Sequence, residues 1–225
     1  MSPEHHPAHE TASSVHGLRP DAPAATTAVA DGRRERPAPL GADVLERVRA
    51  RDPEALAAFF ERYFDHVFGL VYRLLGDRAA AEDVTQEVFL KVHRAAPTLD
   101  VSRDPAPWLT AIAANACRDV WRSGAYRMGR RSDSIDGPAD LADRLPGREG
   151  NPESLVLSRE REALVRAAID QLPEHLREAV LLYEYQGLSH QQIADALGIH
   201  HAAARKRYSR ALEALGRLLR ETLGR

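Results

Sequence analysis

Apolar residues along this chain recur in steps of three and four, never in the alternation of a half-buried strand. The clearest stripe follows Asp52-Pro53 and runs through Leu56, Phe59, Phe60, Tyr63, Phe64, Val67, Phe68, Val71, Leu74 and Leu75. That spacing predicts one long helix with a single buried face. Asp52 suits its N-cap, and Pro53 suits the first helical position, where no amide hydrogen is needed. Gly76-Asp77 stops this helix and caps the next, whose apolar stripe is Val84, Val88, Phe89 and Val92. Pro97 to Pro107 reads as a proline-rich loop. A third helix follows, with Trp108, Leu109, Ile112, Ala113, Ala116 and Val120 facing inward.

Helical spacing returns after residue 153. Leu155, Val156, Leu164, Val165 and Ile169 line one helix, and Leu172-Pro173 opens another with Leu176, Val180, Leu181 and Tyr183 inside. Ser189 to Gln192 reads as a capping box, because the serine hydroxyl can accept from the Gln192 amide while the glutamine side chain reaches back. Ile193, Ala194 and Leu197 fill that short helix, Gly198 permits a turn, and Ile199 packs before a last helix that runs to about Arg220. Its core positions are Ala204, Tyr208, Ala211, Leu215 and Leu218. With no strand pattern and no solenoid repeat, the class is all-α: two small helical domains, 41–123 and 153–225.

The remaining stretches read differently. Residues 1–40 hold six of the fourteen prolines and no aromatic residue, so they cannot bury enough surface to offset chain entropy and are expected to be a disordered tail. His5, His6, His9 and His16 lie in it with no acidic or cysteine partner at a folded spacing, which fits a solvated segment. Residues 124–152 are expected to be a flexible linker; positions 132–153 carry six acids against two bases, punctuated by glycine and proline.

The whole chain of 225 residues has a formal charge of −2, which excludes a uniformly basic coat but not a local basic face. Cys117 is the single cysteine, so an intrachain disulfide and a cysteine zinc site are both excluded. No apolar run reaches the roughly 18 residues of a membrane helix, and no export signal is evident, so a cytoplasmic location and no membrane partner are expected. No P-loop, HExxH or nucleophile elbow occurs, which speaks against an enzyme, and no cofactor is expected.

Local charge is more informative than the total. Residues 199–225 contain seven bases and two acids, and the run follows a capped short helix and a glycine turn. That arrangement is a helix-turn-helix, whose second helix can place Arg205, Lys206 and Arg210 against base edges or phosphates. Residues 118–131 contain five arginines against Asp119, with Trp121 and Tyr126 interleaved. This fits either a surface that tracks phosphates and stacks unpaired bases, or a charged helix end with a core tryptophan. Asp83, Gln86 and Glu87 share one helix face, which fits a protein-docking surface or an ordinary solvent face equally well.

Three segments together, AEDVTQEVFLKVHRA, WLTAIAANACRDVWR and IDQLPEHLREAVLLYEYQGLSHQQIADALGIHHAAARKRYSRAL, resemble the extracytoplasmic-function group of bacterial sigma factors. The resemblance covers about residues 43–123 and 153–220 and implies two modules, region 2 and region 4. It implies that Asp83, Gln86 and Glu87 dock on the clamp helices of the largest subunit of core RNA polymerase, and that region 4 meets the flap of the second largest. It further implies that Leu99, Asp100 and the loop to Pro105, with Asn115, Arg118 and Arg122, capture a flipped base of the −10 element. His201, Arg205, Lys206, Ser209 and Arg210 would read the −35 element as duplex. An anti-sigma factor is a further partner the family often has. His200, Ala202 and Ala203 stand where members commonly carry proline, a small residue and threonine, which removes a hydroxyl contact to phosphate; Ala114 stands where a base is common. The competing reading is a stand-alone helix-turn-helix regulator, with the first module as its dimer or effector unit.

Overall fold

The computed structural model describes residues 37–123 and 152–224, with side chains in the second stretch from residue 160 onward. Expectations for residues 1–36, for 124–151 including Tyr126, Arg127, Arg130 and Arg131, and for the Leu155 and Val156 side chains lie outside the described residues. The expected disordered tail ends earlier than residue 40: the Ala38 carbonyl accepts from Arg62 at 3.0 Å and Leu40 packs against the core. The expected linker ends one residue early, because Pro152 begins a helix. Every regular element described is helical. The first unit comprises α1 (Ala42–Arg49), α2 (Pro53–Leu75), α3 (Arg78–Ala95), a 3-10 turn (Ala96–Thr98) and α4 (Ala106–Arg122). The second comprises α5 (Pro152–Asp170), α6 (Glu174–Val180), a π-helical turn (Leu181–Tyr185), α7 (His190–Leu197) and α8 (His201–Leu223).

Local chemistry sets the boundaries. The Asp52 carboxylate accepts from the Ala55 amide at 2.9 Å and Asp77 from the Ala80 amide at 2.6 Å, so both helices start where an acceptor meets free amides. Gly76, at φ +72°, closes α2 in the left-handed region. Around α2, the side chains of Phe59, Tyr63, Leu70 and Leu74 are buried against α3 and α4. The α2 stripe is wider than its neighbours can cover. Phe64 therefore stays 46% exposed, stacked on Phe68 and Phe89, and Phe60 is half-buried against Phe89. The proline loop is shorter than its composition suggests, because Pro97 enters the 3-10 turn and Pro107 the first turn of α4. Trp121 is 4% exposed and belongs to the core, so it cannot stack on a base.

In the second unit, the Ser189 hydroxyl accepts from the Gln192 amide at 3.2 Å and the Gln192 side chain accepts from the Ser189 amide at 2.9 Å, completing the capping box. Gly198, at φ +63°, makes the turn into α8. The π turn, closed by the Gln186 amide on the Leu181 carbonyl at 3.1 Å, has no signature in the apolar spacing.

The two units share one apolar core. α4 lies against α7, and α2 meets α6 and the π turn. Among the described residues, no helix is long and apolar enough to cross a membrane, and no group of three His, Cys, Asp or Glu could hold a metal ion.

Candidate nucleic-acid interface and docking face

On α8 the buried positions Ala204, Ala211 and Leu215 form the back of the helix. The opposite face presents His201, Arg205, Lys206, Ser209 and Arg210, all exposed. Arg205, Lys206, Ser209 and Arg210 join Ala202 and Glu213 along a shallow groove. A rigid rod with cations on one face and apolar residues on the other is what insertion beside a phosphate backbone requires.

The helix is held in place by a cluster the sequence reading placed only in the core. The Tyr208 hydroxyl donates to the Glu184 carboxylate, and its ring packs 4.3 Å from Tyr183 and 5.3 Å from His190. Burial and the Glu184 hydrogen bond both push the Tyr208 phenol up, so it stays a donor. Burial, with Arg205 and His201 nearby, holds the His190 imidazole below its ordinary value. Apolar spacing marks Tyr183 and Tyr208 as inward positions; only the tertiary fold shows that they clamp the reading helix.

On α3, Asp83, Gln86 and Glu87 are exposed along one face. Glu87 pairs with Lys91 at 2.9 Å, and Lys91 also faces Asp119 at 3.6 Å. The exposed stripe continues to Leu90, which is 57% accessible and was absent from the sequence-derived set. A leucine three residues beyond Glu87 on the same face is the signal that could have found it.

The third set is less uniform. Asp100 is exposed and accepts from the Ser102 amide at 3.0 Å and from the Ser102 hydroxyl at 2.6 Å, so the loop is internally braced. These bonds, with Arg103 nearby, lower the Asp100 carboxyl. Leu99 is 4% exposed, so its side chain supports this loop from the core and does not face a ligand. Asn115 is exposed and accepts from Arg118. Arg122 is exposed, 3.9 Å from Asp119.

Arg118 is only half-exposed, because its guanidinium turns toward the second unit. It donates to the Leu197 carbonyl at 3.1 Å and the Ala196 carbonyl at 3.4 Å, both on α7. Its Nε faces the Glu178 carboxylate of α6 at 3.3 Å, without an aligned hydrogen bond. Glu178 is 1% exposed. Burial pushes its carboxyl up to about 7, against the opposing pull of Arg118, Arg207 and Arg122.

Similarity to known proteins matches this two-part geometry. The family model of Sigma-70 region 2 matches residues 59–127, and that of Sigma-70, region 4 matches residues 162–215. The RNA polymerase sigma-H factor of Pseudomonas aeruginosa is 33% identical over 185 residues, 80% of this chain and 94% of that protein. The ECF RNA polymerase sigma-E factor of Escherichia coli K12 is 34% identical over 179 residues, 76% of this chain and 90% of that protein. Among solved structures, the sigma factor RpoE of Bartonella quintana, in complex with the anti-sigma factor NepR, aligns with TM-score 0.54 at 21% identity, covering 73% of this chain and 96% of that one. CnrH, in complex with the cytosolic domain of CnrY, aligns with TM-score 0.53 at 20% identity, covering 79% and 96%. These two structures share the fold.

Proposed function

The chain belongs to the extracytoplasmic-function sigma factors of the sigma-70 family, and from that premise we propose that α8 reads the −35 element while the 99–105 loop and α4 capture the −10 element. As a member of the family it is an alternative transcription initiation factor: it binds core RNA polymerase and promoter DNA and is not itself an enzyme. The observation that carries the assignment of roles is the exposed cationic face of α8 behind a capped, glycine-turned helix pair.

On this reading His201, Arg205, Lys206, Ser209 and Arg210 meet the −35 duplex. Arg205 and Arg210 are the candidates for paired hydrogen bonds to guanine, each worth about 1–3 kcal/mol of discrimination. Lys206 supplies phosphate charge. Asp83, Gln86 and Glu87, extended by Leu90, form the face for the clamp helices of the polymerase largest subunit, and the second unit meets the flap of the second largest. Domains 41–123 and 153–225 divide the labour, and the acidic 124–152 segment joins them through the polymerase. The cytoplasm is the compartment, and an anti-sigma factor is a partner, as in the complex of RpoE with NepR.

Strand opening loses about 1.4 kcal/mol of stacking per base-pair step. Capture, not force, offsets it: an extruded base gains contacts around Asp100, Asn115, Arg118 and Arg122, and exposed single strand gains charge contacts. Catalysis belongs to core polymerase. A matrix of promoter mutations against Ala variants of Arg205 and Arg210 tests the −35 assignment. Loss confined to one promoter position per variant supports base reading. Equal loss on every sequence would leave only phosphate contact.

A further inference from the structure

We propose that Lys206 is a modification site: an exposed amine in the cationic groove of α8, placed to accept an acyl group from an acyl phosphate, with a weaker grip on duplex DNA as the result. The effect on DNA rests on the reading of Lys206 as a phosphate contact.

The make-up of the basic residues is the first ground. Of the 31 lysines and arginines, only Lys91 and Lys206 are lysine. A guanidinium keeps its proton at every ordinary pH and does not attack an acyl carbon, whereas an ammonium can release a proton and become a nucleophile. Acyl transfer that would scatter over a lysine-rich surface therefore has two side-chain targets in this chain.

The two lysines are held differently. The Lys91 Nζ lies 2.9 Å from Glu87 and 3.6 Å from Asp119. The Glu87 hydrogen bond pushes the Lys91 ammonium up, which keeps it protonated, and the two acids repel an anionic reagent. Lys206 is exposed and has neither a hydrogen bond nor an ion pair among the described residues.

The groove selects the donor. Lys206 lines it together with Ala202, Arg205, Ser209, Arg210 and Glu213, so three cations stand against one acid. Arg205 and Arg210 bring planar N–H donors suited to phosphate oxygens onto the face that carries Lys206. An acyl phosphate has both parts the groove calls for, an anionic phosphate for the arginines and a carbonyl carbon for the amine. The transfer balances with no further reactant. The Lys206 ammonium releases a proton to water, and the Nζ lone pair attacks the carbonyl carbon. A C–N amide bond forms, the C–O bond to phosphorus-bound oxygen breaks, and inorganic phosphate leaves with that electron pair. The product is uncharged and keeps a single N–H, so the contact that Lys206 makes with DNA phosphate is weakened while both arginines remain.

The test treats the full chain with acetyl phosphate, removes the reagent and maps each lysine by peptide mass spectrometry. Treated and untreated chains are then joined to untreated core polymerase and titrated with −35 duplexes over a salt series. Lys206 should be acetylated about tenfold faster than Lys91, because the groove concentrates the anion. Excess inorganic phosphate should slow Lys206 and leave Lys91 unaffected. Affinity should fall about tenfold on every −35 sequence alike, with the salt slope shallower by about one. Lys206→Arg keeps a charge that cannot be acylated, so its affinity should not respond to treatment, whereas Lys91→Arg should respond as the wild type does. Equal rates at the two lysines, or no competition by phosphate, would overturn the modification site while leaving −35 reading by the untreated chain intact. An acetylated Lys206 with unchanged affinity and salt slope would contradict its role as a phosphate contact, and the control of DNA binding would fall with it. A treated Lys206→Arg chain that still loses affinity would place the effect elsewhere and overturn the proposal.

Discussion

The arginines of α8 and those of α4 face opposite circumstances. Arg205 and Arg210 stand in solvent on a helix fixed from behind by Tyr208, Tyr183 and His190, whereas Arg118 is held by α6 and α7. Duplex recognition needs only a preformed charged face, because B-form DNA presents its groove without rearrangement. Base capture needs a pocket that matters only after strands separate.

The comparison breaks most severely if the first unit loses its core. Phe59 is fully buried on α2, and Phe59→Ala should lower stability by about 3–5 kcal/mol, seen as a lower denaturant midpoint. The joint replacement of Asp83 and Glu87 by Ala is more selective. It should remove roughly 2–5 kcal/mol of polymerase affinity while leaving α8 binding to a −35 duplex unchanged, as measured by titration with each partner separately.

Glu178, buried beside Arg118, adds a pH dependence to the contact between the two units. Burial pushes its carboxyl up to about 7 in the folded chain, against an ordinary 4.5 in the unfolded one. Between those values the folded chain holds a proton that the unfolded chain releases, so raising the pH lowers stability. Below 4.5 both forms are protonated, and well above 7 both are charged, so the effect levels off on each side. The full swing is on the order of 3 kcal/mol. The denaturant midpoint should be lower at pH 8 than at pH 5.5, values about one to two units either side of the buried titration. Glu178→Gln should flatten the response, since it removes the buried carboxyl that faces Arg118, Arg122 and Arg207.

Smaller effects concern α8 and the cap of α7. Arg205→Ala or Arg210→Ala should cost about 1–3 kcal/mol at a single promoter position. Ser189→Ala removes an acceptor from the α7 amides and should cost about 1 kcal/mol, visible as a lowered melting temperature.

These contrasts also show where sequence reasoning reaches its limit. Caps and stops were legible because they are local: Asp52, Gly76, Asp77, Ser189 and Gly198 act within one turn of themselves. The exposed face of α8 was legible because helical period and charge coincide there. Phe64 was misplaced inside, since a stripe gives the direction of burial but not the arc its neighbours cover. Leu99 was offered to nucleic acid and is buried, and Trp121, left open between base stacking and the core, belongs to the core, because a loop leucine or an arginine-flanked tryptophan carries no mark of depth. The Glu178–Arg118 contact joins residues 60 positions apart, and its meaning depends on burial that neither residue type announces. The π turn likewise leaves apolar spacing almost unchanged while swinging Tyr185 and Gln186 onto the first unit.

Run-off transcription with the purified chain and core polymerase on genomic fragments tests the whole account most directly. Discrete transcripts should form only when both proteins are present and should vanish with Asp83→Ala/Glu87→Ala. Specific binding of the chain alone to a palindromic site, with no association with polymerase and no transcript, would contradict it.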